Sequence, residues 1–191
     1  KTDYFYYFNR FNEFIKINQL IFRYLKFIKT ASHTAPDFFL ATITSIYGFQ
    51  SICKMRALLQ RVLEAKVVVE GETTGEIEKG ILVFLGLGKD DNLEKGKKLI
   101  DKILKYRFFD DEQGKMGWNV AQVGGGILLV SQFTLMAQTQ KGLRPDFGPA
   151  MRPAEAKALY EQLVEYARSQ FEHVQTGIFA ADMKVHLVND G

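Results

Sequence analysis

With 191 residues, the chain is long enough for one well-filled core, or for one domain plus an appendage. Its single cysteine, Cys53, excludes an internal disulfide and fits a reducing, cytoplasmic compartment; His33, His173 and His186 are scattered without metal-ligand spacing, so no metal centre is expected. The net charge of +3 is uneven: seven Lys/Arg against three Asp/Glu precede Met55, and 18 against 19 follow, so any nucleic-acid contact has to come from a local patch rather than from a global field.

Aromatic residues are equally uneven, with 14 of the 25 in the first 54 positions, where Gly48 is the only glycine. Phe11, Phe14, Ile15, Phe22, Leu25 and Ile28 form a helical stripe with Lys16, Arg23 and Lys26 on the other side, the pattern of a basic amphipathic helix resting on a membrane or a partner. No stretch approaches the uninterrupted apolar length of a spanning helix, and no stable membrane association is expected. The other reading is that this Phe/Tyr/Ile/Asn/Lys-rich segment, the composition A/T-rich DNA encodes, is not part of the working protein. Met55 opens a clean strand and is the expected natural start. Residues 1–54 are therefore read as an atypical extension and 55–191 as the domain.

Within that domain, 56–63 and 66–70 are β-rich runs, and Gly71-Glu72 offers a turn into Thr73-Thr74. Residues 81–85 form a short apolar strand closed by Gly86 and Gly88; this Gly-x-Gly lacks the third glycine and the acid of a dinucleotide site. Asn92 caps a predicted helix running to about Tyr106, with Leu99, Ile100, Ile103 and Leu104 inward. A polar loop, 110–117, follows. Gly124-Gly125-Gly126 then feeds Ile127-Leu128-Leu129-Val130, a strand buried on both faces, which runs into Ser131-Gln132-Phe133-Thr134-Leu135. Polar groups at the end of a core strand are either a satisfied structural network or a site.

Beyond it, Lys141-Gly142-Leu143-Arg144-Pro145 is a basic loop, either a solvated connection or a phosphate clamp. Pro153 starts a second helix whose apolar face is Leu159, Tyr160, Leu163, Val164 and Ala167, and 183–188 alternates as a strand. The order of elements implies an α/β domain with helices packed on a mixed sheet.

Several stretches carry a family pattern: Gln60-Arg61-Val62, Tyr106-Arg107-Phe108-Phe109, Gly114-Lys115-Met116, the Ser131–Leu135 run, Lys141–Pro145, Phe179-Ala180-Ala181-Asp182-Met183 and Val188-Asn189-Asp190-Gly191. Over 55–191 the sequence resembles the bacterial D-aminoacyl-tRNA deacylases, the DTD family. The resemblance implies a three-layer α/β/β DTD-like fold with a mixed, largely antiparallel sheet and two main helices. It also implies hydrolysis of the ester joining a D-amino acid, or glycine, to the 3′-terminal adenosine of tRNA, a proofreading step in translation. Residues 1–54 match nothing in the family, and Gly117-Trp118 stands where an asparagine is common. The family continues after the equivalent of Gly191 with a cis proline and a short strand, so the domain is read as truncated at its C-terminus, with weakened activity and stereoselectivity expected.

By resemblance, Ser131, Gln132, Phe133 and Thr134 line the catalytic pocket, and Met183, Asn189, Gly191, Lys141 and Arg144 bind substrate. The family is a homodimer in which the Gly-Pro element of one subunit excludes an L side chain from the site of the other. No cofactor or metal is implied. A threonine nucleophile needs a base, and the motif contains no His or Lys. The terminal ribose carries a 2′-hydroxyl next to the ester, so substrate-assisted attack or an activated water is the cheaper route, with the Phe133 N–H a candidate oxyanion donor. Two other classes compete: a non-catalytic tRNA- or RNA-binding module, against which the near-neutral body argues, and a conventional Ser/Thr esterase, which needs a base beside Ser131 or Thr134.

Overall fold

The computed structural model describes residues 55–139 and 142–191, together with the backbone of residues 5–7. The extension's amphipathic stripe, Cys53 and Lys141 lie outside the described residues. In chain order the first elements are β1 (Phe5–Tyr7), β2 (Arg56–Val69), β3 (Glu72–Ile77), β4 (Gly80–Gly86) and α1 (Leu93–Lys105). They are followed by β5 (Phe109–Asp110), β6 (Met116–Trp118), β7 (Gly126–Ser131), α2 (Pro153–Gln170), β8 (Val174–Thr176) and β9 (Met183–Asn189).

The main sheet runs β1-β9-β2-β4-β7-β8, with β3 also paired to β2. Pairings of β2 with β3, β4 and β9 are antiparallel, whereas β7 runs parallel to both β4 and β8, so the sheet is mixed and largely antiparallel. The two predicted β-rich runs are one strand, β2, which serves two layers. Its first half pairs with β4 and buries Ala57 and Leu59 toward the helices. Val62 has the opposite parity and faces the other way, into a second cluster. The pairing with β9 shifts between Val62 and Glu64, leaving Leu63 as an extra, exposed residue. This bulge keeps Ala65 and Val67 on the face of Val62.

Strands β4 and β7 are buried on both faces, as continuous apolar runs require. Ile81, Val83, Ile127 and Leu129 pack under the helices, while Leu82, Leu128 and Val130 pack against Val67, Val185 and Leu187. The layers are thus helices, central strands, and a covering layer of β3, β9 and the second half of β2. The Asn92 side chain caps α1 by accepting from the Lys95 N–H (3.0 Å), and Pro153 opens α2. Gly96 sits where α1 meets α2, since a Cβ there would lie 2.4 Å from Leu163 Cδ2. The expected 110–117 loop is a small hairpin, β5–β6, held around the Asp111 carboxylate, which accepts from the N–H groups of Gln113 and Lys115. Strands of two and three residues are too short to show a period.

Candidate active site

The Ser131–Thr134 motif is not one continuous strand. The last ladder bond runs from the Gln132 N–H to the Leu85 carbonyl (2.8 Å), and Phe133–Met136 then winds into a 3-10 turn. Gly86, at the end of β4, makes room for that turn: a Cβ there would lie 2.9 Å from Leu135 Cβ and 3.0 Å from the Gln132 carbonyl oxygen. Arg56 Nη1 donates to the Leu135 carbonyl (2.7 Å) and holds the turn from the start of β2.

Within the turn, Gln132 Nε2 donates to Thr134 Oγ1 at 2.6 Å. An amide is no base in either orientation, so the nearest side-chain partner of the Thr134 hydroxyl cannot take its proton. Gln132 provides no side-chain cap to the turn. The first N–H groups of a helical turn have no acceptor inside it, which leaves those of Phe133 and Thr134 available to an oxyanion. The Phe133 ring is 59% exposed and meets Phe147 edge-on at 5.1 Å between centroids.

Two buried groups support this end of the sheet. The pairing of β7 with β8 ends at Leu129–Thr176, where the Gly177 N–H reaches the Leu129 carbonyl at 3.4 Å. Tyr160 of α2 reaches the same carbonyl from below, its hydroxyl donating at 2.7 Å, and its ring packs on Phe179. Burial pushes the Tyr160 phenol far above its ordinary value of 10, against the opposing pulls of Arg168 and the Ser131 backbone N–H. The loop after β4 is fixed by Asp91, whose carboxylate accepts from the Gly88 N–H (2.7 Å). Burial raises the Asp91 carboxyl, and the Met55 and Gly88 N–H groups oppose the rise.

The other predicted residues fall in different places. Arg144 is exposed on a loop closed by reciprocal backbone bonds between Gln138 and Asp146 (2.8 and 3.0 Å), with Leu143 98% exposed at its tip. Met183 is buried in the same apolar cluster as Val130, one residue before Ser131, with Gly177 leaving room for its sulfur. Asn189 and Gly191 are not brought to Ser131. Asn189 pairs with Val62, which pairs with Gly80, whereas Ser131 pairs with Leu85. Five residues of β4 separate the two levels, about 17 Å at ~3.3 Å per residue.

Arg61 organises that far end. Its Nε donates to the Asp190 carbonyl (2.7 Å), its Nη1 donates to the Phe108 carbonyl (2.9 Å), and its guanidinium lies 3.2 Å from the Asp190 carboxylate. The Asp190 N–H returns a bond to the Arg61 carbonyl (2.9 Å), and the Asn189 amide donates to the Gly191 carbonyl. Asp190 is thus tied down from both its main chain and its side chain. Tyr160, Gly86, Arg56 and Asp91 carry no mark of this role in the sequence. Tyr160 reads there as one more apolar-face residue of a helix. Among the described residues, no three His, Cys, Asp or Glu side chains are grouped to hold a metal ion.

A three-layer α/β/β sheet whose central parallel strand ends in this turn defines a family. A family model described as D-Tyr-tRNA(Tyr) deacylase matches residues 58–191, and the chain belongs to that family. It is 85% identical over 137 residues to a D-aminoacyl-tRNA deacylase of Acinetobacter baumannii (strain SDF), covering 72% of this chain and 95% of the relative. The D-aminoacyl-tRNA deacylase of Acinetobacter baylyi is 78% identical over 137 residues, covering 72% and 94%. Among solved structures, the c-Myc DNA Unwinding Element Binding Protein is 40% identical with a TM-score of 0.67, covering 71% of this chain and 92% of that one. A second, described as a probable eukaryotic D-amino acid tRNA deacylase, is 15% identical with a TM-score of 0.64 and shares the fold.

Proposed function

We infer that the chain is a D-aminoacyl-tRNA deacylase, a hydrolase that cleaves the ester between a D-amino acid and the 3′-terminal adenosine of tRNA. The observation that carries its mechanism is the Gln132–Thr134 hydrogen bond (2.6 Å), which gives the threonine an amide for a partner instead of a base. The turn then acts by position. The Phe133 N–H faces the oxyanion formed as the ester carbon becomes tetrahedral, and the exposed Phe133 ring offers a face to the terminal adenine. Water attacks the ester carbon, and as the bond to the 3′-oxygen breaks its proton passes, directly or through the neighbouring 2′-hydroxyl, to that departing oxygen, releasing the free amino acid. Ser131 shapes the wall, Met183 packs behind it, and Lys141 and Arg144 meet phosphate. Glycyl-tRNA is a substrate on the same terms, because a glycyl ester presents no side chain to exclude.

We further propose that residues 55–191 form the catalytic domain and that it works as a homodimer. Asn189–Gly191 lies about 17 Å along the sheet from the level of Ser131, a separation that favours a site whose two motifs come from different subunits. A second copy supplies the missing end. The test is deacylation of matched D- and L-aminoacyl-tRNA together with sedimentation. Selective release of the D-amino acid by a dimer is expected. Equal rates on D and L substrates would refute the chirality filter, and an active, selective monomer would refute its two-subunit construction.

A further inference from the structure

Charge in the domain is segregated. Residues 93–107 carry six Lys/Arg against two Asp/Glu, leaving 12 against 17 in the rest of 55–191. The cations are also aligned. Lys95, Lys98, Lys102 and Lys105 follow one another at spacings of three, four and three, which puts all four on one face of α1, and all four are exposed. Gly96, Ile100 and Ile103 bury the opposite face. At ~1.5 Å per residue the stripe is about 15 Å long.

Helix stability accounts for only part of it. Lys102 and Lys105 suit the negative end of the helix dipole and Lys98 is placed to pair with Glu94 one turn earlier, but Lys95 lies in the first turn, where the dipole disfavours a cation. Nor is the stripe neutralised: Lys98 pairs with Glu94 (2.7 Å) in full exposure, and Lys102 and Lys105 make no ion pair among the described residues. The stripe begins in the helix that follows the loop after β4, the strand whose end makes room for the turn: Lys95 Nζ donates to the Asp90 carbonyl (2.6 Å) in that loop, and a Cβ on Gly86 would lie 2.9 Å from Leu135 Cβ and 3.0 Å from the Gln132 carbonyl oxygen.

We propose that this face of α1 binds the phosphate backbone of tRNA, so that the 3′ end enters the Ser131–Thr134 turn while the stem behind it lies along the stripe. The proposal takes the identity of the RNA from the deacylase reading. It puts the phosphate contacts on an otherwise acidic body, where they orient the substrate as well as hold it.

The experiment compares tRNA binding as a function of salt for three proteins: the wild type, a stripe variant (K95Q, K98Q, K102Q and K105Q together) and a control with the same charge change (K66Q, K115Q, K157Q and K184Q). Glutamine keeps a helix propensity close to that of lysine. If each stripe lysine neutralises one phosphate, the slope of log Kobs against log salt falls by about 3 in the stripe variant. Between 50 and 200 mM salt the wild type then loses about sixty-fold more affinity than that variant, while the control keeps the wild-type slope. A stripe variant with the wild-type slope overturns the proposal, as does a control that loses as much. Loss of binding to phosphatidylserine vesicles with tRNA binding intact also overturns it. Independently of any variant, tRNA should shield these four lysines of the wild-type protein from an amine-reactive reagent, and equal labelling with and without tRNA would refute it. Failure of the wild type to cleave D-aminoacyl-tRNA counts against the deacylase reading, while the binding slope still decides the stripe.

Discussion

Replacing Tyr160 by Phe removes one oxygen from the pin beneath the candidate site and leaves the ring on Phe179 in place. The Leu129 carbonyl then keeps only the long bond from the Gly177 N–H (3.4 Å), so a buried acceptor is left poorly satisfied. Such a loss costs about 2 kcal/mol, or about 6 °C in Tm for a domain of this size. The pH dependence is more diagnostic than the size. The folded phenol holds its proton far above the ordinary value of 10, because burial disfavours the phenolate. Below pH 10 both states are protonated and the two proteins differ by a constant amount. Above it the unfolded wild type releases a proton that the folded state retains, so wild-type stability falls by about 1.4 kcal/mol per pH unit relative to the variant. The gap of about 2 kcal/mol therefore closes near pH 11.5 by this reckoning. Urea denaturation of both proteins at intervals from pH 7 to pH 12 measures it. A gap that persists undiminished at pH 11.5, or none at pH 7, refutes the assignment of Tyr160 as a buried, hydrogen-bonded pin.

Phe133→Pro removes the proposed oxyanion donor at a position where proline's φ suits the first residue of a helical turn, and kcat should fall by about 10²–10³, well beyond the effect of Phe133→Ala. Ser131→Ala and Thr134→Val should each cost less than about tenfold in single-turnover deacylation, because neither side chain carries the chemistry; a loss as large as that of Phe133→Pro would revive a nucleophilic role. Gly86→Ala drives a Cβ into Leu135 and the Gln132 carbonyl, and should lower stability by about 1–3 kcal/mol and displace the turn, seen as a drop in kcat with KM less affected. Arg61→Met frees Asp190 and leaves the Phe108 carbonyl without its donor, so discrimination between D- and L-aminoacyl-tRNA should fall along with a loss of about 2 kcal/mol in denaturation experiments.

Much of this molecule is decided locally. The apolar runs 81–85 and 127–130, the Asn92 cap and the Pro153 start each depend on neighbours a few residues away, and each element forms where those signals stand. The Ser131–Thr134 motif is likewise contiguous, so its place at a strand end and its lack of a base are visible in the residues themselves. Other features depend on contacts between distant positions. That β2 is one strand switching layers follows from its pairing with β4 on one side and β9 on the other, around the extra residue Leu63. That the motif turns after Ser131 follows from β4 ending at Gly86, where Leu85 accepts the last ladder bond. Tyr160 reaches Leu129 across 31 positions and Arg61 reaches Asp190 across 129, and no local pattern encodes either approach. The separation of Asn189 from Ser131 is the clearest case. Both motifs are legible in the chain, but their distance is set by where β9 pairs on β2, and pairing between distant strands is a tertiary event.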